Sequence, residues 1–177
     1  MTTKWEIDSA HSSVNFSIKH MMISKVHGGF QKLSGTLNLD RGTLANSSVE
    51  ATIDVASIDT HESKRDEHLK SADFFDAQKY PAIAFKSKRF ESAGGDQYRV
   101  TGDLTIHGVT KEVVLQVESP ADEMKDPWGN IKMGASATTK IKRKDFGLNW
   151  NAALEAGGWL VGDDVSITLD LQLAKKS

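Results

Sequence analysis

The sequence predicts an all-β protein, an extended eight-stranded antiparallel up-and-down barrel with a short helix between the third and fourth strands. Two observations carry this prediction. Apolar and polar side chains alternate in eight separate segments, which is the pattern of half-buried strands. Most of these segments are joined by short turns, which favour antiparallel neighbours. Closing such a sheet into a barrel removes the exposed edges that invite aggregation.

The first predicted strand, residues 12–20, shows the alternation most clearly. Val14, Phe16, Ile18 and His20 share one face, because successive side chains of a strand point to opposite faces. This face is apolar and ends in a histidine. We therefore expect an apolar interior with a polar group near one end of this strand.

The next segments predict two further strands and the helix. The second strand, residues 26–40, contains three glycines, which are typical of the bulges and bends that let a sheet curl. The third strand, residues 49–55, alternates strictly. Residues 62–70 are rich in charged helix formers and predict a short surface helix with Thr60 as its N-cap.

Five more strands follow the helix. The fourth begins after Pro81, and the fifth is predicted at residues 97–107. The sixth follows a turn at Gly108 and has Val113, Leu115 and Val117 on one face, and the last two are predicted at residues 130–143 and 165–173. The long connection between the last two strands carries several large apolar side chains. A solvated loop does not hold so many, so we expect it to fold back over an apolar opening.

Alternation alone does not distinguish a barrel from a two-sheet sandwich with a dry core. Ala135 and Ala137 on the inner face of the seventh strand, together with the strand glycines, favour a barrel with free space inside. About eight strands enclose packed side chains or one small ligand. The sequence therefore predicts a container.

Composition narrows the function classes. We expect one domain over residues 1–177, and the net charge of -2 without runs of like charge argues against a nucleic-acid partner. The absence of cysteine excludes disulfides and thiolate chemistry. No apolar run is long enough for a membrane span, and the first residues lack the apolar core of a signal peptide. We expect a cytoplasmic protein.

Several blocks of the sequence share the pattern of one known family. They include WEID at residues 5–8, HSSV at 11–14, SIDT at 57–60, SADFF at 71–75, GDLTI at 102–106 and RKDFG at 143–147. Together they resemble the YceI-like, polyisoprenoid-binding family over nearly the whole chain. The resemblance implies a lipocalin-like barrel whose pore holds a long isoprenoid chain, with no cofactor.

We predict that the pore is lined by inward side chains of the strands and by aromatic residues near its ends. The ligand-binding residues expected are Val14, Phe16, Ile18, His20, Phe30, Ile53, Val55, Arg65, Phe74, Phe75, Phe85, Leu104, Ile106, Phe146, Trp150 and Trp159.

His20 is the sharpest polar candidate and has two readings. Its imidazole could hydrogen-bond a quinone carbonyl or a pyrophosphate at the head of a lipid, or it could be a core histidine satisfied by its surroundings. For Arg65 and Asp66 we favour a structural role, fastening the helix to the barrel, with Arg65 as a candidate anion contact. Asp66 and Lys70 have the spacing of a surface ion pair.

Two other groups of residues, a histidine pair and a set of triad residue types, are poor candidates for a metal site and a catalytic triad. His61 and His68 are seven residues apart, but the short spacings typical of zinc sites are absent from the sequence, so we expect no metal. Asp8, His11 and Ser12 offer the residue types of a catalytic triad. Neighbours on a strand face opposite ways, which makes a triad from these residues improbable.

We therefore predict non-enzymatic binding of an isoprenoid lipid, a quinone or polyprenyl phosphate, for transport, storage or sequestration. The alternative is an enzyme, a hydrolase or isomerase for a small hydrophobic substrate, with His20 as general base. A third hypothesis is an interaction module in which the aromatic connection at residues 150–159 docks a partner or forms a homodimer.

Overall fold

A computed structural model describes residues 1–119, 122–152, 154, 158 and 160–176. In this part of the chain the secondary structure consists of strands, one α-helix and four short 3₁₀ helices. The 3₁₀ helices are Ser9–His11, Leu44–Asn46, Val55–Ser57 and Arg143–Phe146. The strands and the helix are β1 Thr3–Ile7, β2 Ser13–His20, β3 Ser24–Phe30, β4 Leu33–Leu39, β5 Ser48–Asp54, β6 Ile58–Asp59, α1 Ser63–Lys70, β7 Ala82–Gly94, β8 Gln97–Ile106, β9 Val109–Glu118, β10 Met124–Lys125, β11 Ile131–Lys142 and β12 Val161–Lys175.

Three of the barrel strands are each broken into two segments. β1 and β2 are separated by one 3₁₀ helix, β5 and β6 by another, and β3 and β4 by two residues. The broken strands pair with each other segment by segment, β1 with β4 and β2 with β3, then β4 with β5 and β3 with β6. Each broken strand therefore acts as one strand of the barrel.

Two of these breaks begin at an aspartate. Asp8 accepts a hydrogen bond from the backbone N–H of Ala10 at 3.1 Å, and Asp54 accepts one from that of Ala56 at 3.0 Å. A short aspartate side chain readily takes the place of the next backbone partner and starts a turn. The extended chain bends at these points and continues in the same direction.

The sheet closes on itself and confirms the predicted eight-stranded up-and-down barrel. Neighbours in the barrel are neighbours in the sequence, from the β1–β2 strand through β7, β8, β9 and β11 to β12. β12 closes the ring, because one of its edges pairs with β11 and the other with β2 and then β1. The alternative of a two-sheet sandwich is thereby excluded.

The two ends of the barrel differ. The helix end carries α1, the β2–β3 hairpin and the connection from β11 to β12. The closed end carries the β4–β5, β7–β8 and β10–β11 turns, and a cluster of buried side chains, Trp5, Met133 and Leu173, fills it. The buried cluster caps the interior at the closed end, and we call the helix end the mouth of the barrel.

The N-cap of α1 differs from the prediction. Glu62 is the N-cap, and its carboxylate accepts hydrogen bonds from the backbone N–H groups of Lys64 and Arg65. Thr60 lies two residues earlier and forms a hydrogen bond with a side chain of the helix instead of capping it. Its backbone N–H donates to the Asp66 carboxylate at 2.9 Å.

The predicted fastening of α1 by Arg65 and Asp66 is confirmed. Arg65 donates from Nε to the hydroxyl of Thr60 at 2.7 Å and from Nη2 to its carbonyl at 2.6 Å. Thr60 follows β6 directly, so these bonds hold the helix against the barrel wall. The predicted Asp66–Lys70 pair is wrong, because Asp66 is engaged by Thr60 and Lys70 lies 3.5 Å from Glu67.

Candidate functional site

A cavity of about 550 Å³ occupies the barrel interior. Its lining residues on β12 run from Val161 to Leu173. At ~3.3 Å per residue and a strand tilt of ~35–45°, this corresponds to about 30 Å along the barrel axis. The volume lies within the range of ~300–1,000 Å³ found for small-molecule sites. The barrel's own side chains thus leave a long, narrow space unfilled.

The lining is apolar apart from a few groups, most of them near the helix end. Among the described residues no Asp or Glu lines the cavity, whereas several basic side chains do. The polar lining residues are Lys19, His20, Thr60, Lys64, Arg65, His68, Thr139 and Arg143. Among the described residues the polar part of the lining thus includes basic but no acidic side chains, and the shaft is apolar.

Most of the sequence-predicted residues line this cavity. They come from five strands, from α1 and from the segments that follow α1 and β11. The predicted residues found in the lining are Val14, Phe16, Ile18, His20, Phe30, Ile53, Arg65, Phe74, Phe75, Phe85, Leu104, Ile106 and Trp150. Whether they contact a ligand stays a prediction. Trp159 lies outside the described residues.

Val55 and Phe146 are buried but do not line the cavity. Both sit in 3₁₀ helices, where the two-residue alternation of a strand no longer sets the direction of a side chain. Val55 is 2% exposed and Phe146 is 1% exposed, and both pack in the main hydrophobic core. Their expected place in the lining is corrected accordingly.

β9 and β12 supply lining residues that are absent from the predicted set. The signal was present, since these residues alternate with polar neighbours as strictly as those on β2. They are Val113, Leu115 and Val117 on β9 and Val165, Ile167, Leu169 and Leu171 on β12.

His20 lies half-buried at the mouth, at the end of β2. Its backbone pairs with Ser24 across the hairpin. Among the described residues the structure contains no hydrogen bond or ion pair to its imidazole. A satisfied core histidine would have such a partner, so the geometry leaves the ring available to a ligand.

His68 belongs to an aromatic cluster at the mouth. Its ring lies edge-on to Phe74 at 5.1 Å and to Trp150 at 4.8 Å between centroids. Nε2 is 2.8 Å from the Asp73 carboxylate, which fixes the ring. His61 is exposed in the turn before α1, and the described residues contain no group of three or more side chains arranged to hold a metal ion.

Arg143 fixes the connection that crosses the mouth. Its guanidinium, 3% exposed, donates to the carbonyl of Gly162 from Nε and to that of Trp150 from Nη1, each at 2.8 Å, and to that of Leu148. Burial lowers the pKa of Arg143, and the charge of Asp163 opposes this, but an arginine stays charged at neutral pH. The expectation that this connection folds over the opening is confirmed for its described residues, because Leu148, Trp150 and Leu160 line the cavity.

Asp8 and His11 form a pair, but no triad is assembled around it. His11 Nδ1 is 3.0 Å from the Asp8 carboxylate, and this hydrogen bond lowers the pKa of Asp8, with Lys132 acting in the same direction and burial against it. The Ser12 hydroxyl instead accepts the backbone N–H of Gln172 at 3.0 Å. The serine is therefore not presented to the imidazole.

The domain model that describes the YceI-like domain matches residues 5–173. The chain belongs to the YceI-like family. Its curated relatives include a UPF0312 protein of Vibrio cholerae serotype O1, 41% identical over 78% of this chain and 73% of the relative. A UPF0312 protein of Staphylococcus aureus is 38% identical over 92% of each chain. The family predicted from the sequence blocks is thus confirmed.

Solved structures show the same YceI-like barrel. Burkholderia cenocepacia BcnA aligns with a TM-score of 0.81 and 30% identity, over 94% of this chain and 98% of its own. A Campylobacter jejuni YceI protein aligns with a TM-score of 0.75 and 33% identity, over 90% of both chains. A polyisoprenoid binding domain from Saccharophagus degradans aligns with a TM-score of 0.67 over 97% of this chain and 98% of its own, and at 17% identity it shows the fold alone.

The described residues also include no helix with the length and apolar character needed to cross a membrane.

Proposed function

We propose that this barrel binds one long-chain isoprenoid lipid, a quinone or polyprenyl phosphate, without chemical turnover, and serves its transport, storage or sequestration. The observation that carries the proposal is the apolar cavity of about 550 Å³, which is capped by buried side chains at the closed end and has basic side chains at its mouth. An elongated lipid with a polar head matches this shape and polarity.

The dimensions suit a single extended chain. A length of about 30 Å equals the ~30 Å hydrocarbon thickness of a bilayer. A volume of about 550 Å³ spread over that length describes a narrow shaft and not a round chamber. A compact metabolite would leave most of this space empty.

The energetics need no reactive group. Each isoprene unit has about five carbons, and burying it favours binding by ~2–4 kcal/mol before the cost of ordering the chain. Several units are therefore enough for tight binding. A smooth apolar shaft discriminates mainly by the length and girth of the chain.

The mouth suits an acceptor head group. Lys19, His20 and Lys64 line it, and the described residues provide none of them with a hydrogen-bonded or ion-paired side-chain partner. Quinone carbonyls and phosphate oxygens are both acceptors. No carboxylate lies among the described lining residues, so these residues offer an anionic head group no repulsion. The description of the Saccharophagus degradans domain as polyisoprenoid binding supports the same ligand class.

Lipid extraction tests the proposal directly. We expect mass spectrometry of organic extracts of the purified protein to show a long-chain isoprenoid, and the emptied protein to take up added quinone or polyprenyl phosphate. Ala137→Trp fills the shaft and should abolish uptake, whereas Thr138→Trp, on the outer face of the same strand, should not. Absence of lipid together with absence of uptake would contradict the proposal.

Replacing His20 with Ala separates the carrier from the enzyme. A carrier keeps its affinity for the tail, because the apolar contacts of the shaft remain. An enzyme that uses His20 as general base loses turnover by about 10²–10⁴-fold.

A further inference from the structure

The β2–β3 hairpin ends in three consecutive exposed apolar residues, here called the apolar tip: Met21, Met22 and Ile23. They are 43%, 65% and 84% exposed. Single exposed apolar side chains are ordinary, whereas a contiguous exposed group marks a contact surface. The backbone N–H of Met21 donates to the carbonyl of Leu160 at 2.8 Å, and Leu160 lines the cavity. The apolar tip therefore stands at the cavity mouth.

The conformation of the turn does not explain these residues. Met21 has φ +54° and Met22 has φ +62°. Tight hairpins with two such residues favour Asn and Gly, because a Cβ is strained in the left-handed region. The backbone conformation of the turn therefore disfavours methionine at these two positions, and another reason is needed for the apolar side chains.

The charged side chains of the β2–β3 hairpin itself have one sign. Residues 9–39 contain no Asp or Glu, although the chain has 24 of them in 177 residues. Lys19 and Lys25 flank the apolar tip and are exposed. On β12, which pairs with β2, Asp163 and Asp164 lie 3.5 Å and 3.4 Å from Lys144 and Lys142. The hairpin therefore presents apolar side chains within a cationic collar.

We propose that the helix end docks on an anionic lipid bilayer, with the apolar tip inserted among the acyl chains and Lys19 and Lys25 among the head groups. Apolar residues flanked by lysines partition into this interfacial region, and anionic lipids attract the lysines. Docking in this way turns the cavity mouth toward the membrane. Its value for lipid exchange rests on the proposed function, but the docking itself needs no ligand in the cavity.

Vesicle binding tests the docking without isoprenoids. We expect the protein to bind vesicles of phosphatidylcholine mixed with phosphatidylglycerol, to bind pure phosphatidylcholine more weakly, and to be released by salt. The double variant Met22→Ser, Ile23→Ser should bind about a hundredfold more weakly, since each buried side chain contributes a factor of about ten. Lys25→Gln should bind anionic vesicles about fivefold more weakly and leave neutral ones unaffected.

Trp128 provides the matched control. It is 82% exposed on the turn between β10 and β11, at the closed end, so Trp128→Ser should leave vesicle binding unchanged. Unchanged binding of the tip variant, or loss of binding by Trp128→Ser, would overturn the proposal. So would light scattering that shows a wild-type dimer separated by the tip substitutions, because the apolar tip would then be a contact between two copies.

Isoprenoid uptake from detergent, measured on the same variants, keeps the two proposals apart. If docking fails and uptake persists, only the membrane contact is wrong. If uptake fails while vesicle binding persists, only the ligand assignment is wrong.

Discussion

Arg143 holds the chain after β11 across the open end of the barrel. A buried guanidinium that donates to several carbonyls satisfies backbone groups which an irregular segment would otherwise leave unpaired. RKDFG at residues 143–147 was among the blocks that indicated the family. What the arginine does there becomes visible only with the carbonyls of residues 148–162 around it.

We expect Arg143→Met to lower the free energy of unfolding by about 3 kcal/mol, because buried carbonyls lose their donors at ~1–3 kcal/mol each. Urea denaturation measures the change. Lys142→Met is the control, since Lys142 is exposed and its pair with Asp164 contributes at most about 1 kcal/mol. Equal losses for the two variants would contradict the assigned role.

Asp40 makes the stability depend on acid pH. Its carboxylate accepts hydrogen bonds from Asn46 Nδ2 and the Thr43 backbone and lies 3.3 Å from the N-terminal ammonium. These bonds, that of Asn46 first, lower the pKa of Asp40. The ionised form is therefore favoured in the folded state. Its contribution is complete above the unfolded pKa of ~3.9 and is lost as the pH falls through the lower folded value.

We expect Asp40→Asn to reduce stability at pH 7, and the difference from the wild type to shrink as the pH falls below about 4. Unfolding in urea over a pH series measures it. A difference that does not depend on pH would show that the charge of Asp40 is not involved.

At the scale of elements, the strand glycines accommodate neighbouring rings. A Cβ at Gly28 would lie 2.7 Å from the Phe16 ring, and one at Gly102 would lie 2.6 Å from the Phe85 ring. The prediction that small residues leave free space therefore holds for Ala135 and Ala137, which line the cavity, but not for these two glycines. At Gly28 and Gly102 an aromatic side chain takes the space.

We expect Gly102→Ala to lower the free energy of unfolding by about 1–3 kcal/mol, because the added methyl group meets a backbone carbonyl and the Phe85 ring. Thermal or urea denaturation measures it. In Gly134→Ala the nearest atom outside the adjoining residues is 4.0 Å away, so that variant should keep its stability within about 0.5 kcal/mol. Similar losses in the two variants would contradict the role assigned to the contact at Gly102.

At the scale of the whole molecule, the barrel encloses a cavity and is capped at one end by buried side chains. Trp5, Met133 and Leu173 fill that end, while α1 and the connection held by Arg143 lie at the other. Side chains that line an empty cavity lack van der Waals contacts on one side, and a bound ligand would supply them. Binding of a ligand in the cavity should therefore raise the free energy of unfolding.

We expect the lipid-loaded protein to be more stable than the emptied one. Ligand at about 100 times its dissociation constant contributes ~2.7 kcal/mol, which corresponds to a rise in Tm of roughly 5–10 °C for a chain of this size. Scanning calorimetry of emptied protein, with and without added isoprenoid, measures the shift. Ala137→Trp, with its shaft filled, should show none, and a shift of the same size in that variant would mean that the lipid binds elsewhere.

The sequence by itself determined which face of each strand turns inward. Side chains alternate with a fixed period of two, so Phe16, Leu104 and Ile106 could be assigned to the interior without coordinates. It also determined the helix and the number of barrel strands. β1 is absent from the predicted strands because its five residues are too short for the alternation to stand out.

Only the tertiary structure decided which way side chains point where the chain is not in a strand and the period of two no longer applies. Val55, Phe146 and Thr60 lie in or beside turns, where direction depends on hydrogen bonds to distant residues and not on spacing. Closure of the sheet and the free space inside it were likewise decided in three dimensions. Closure requires β12 to meet both β11 and the first strand, and a cavity volume depends on how far opposing walls stand apart, which no local pattern encodes.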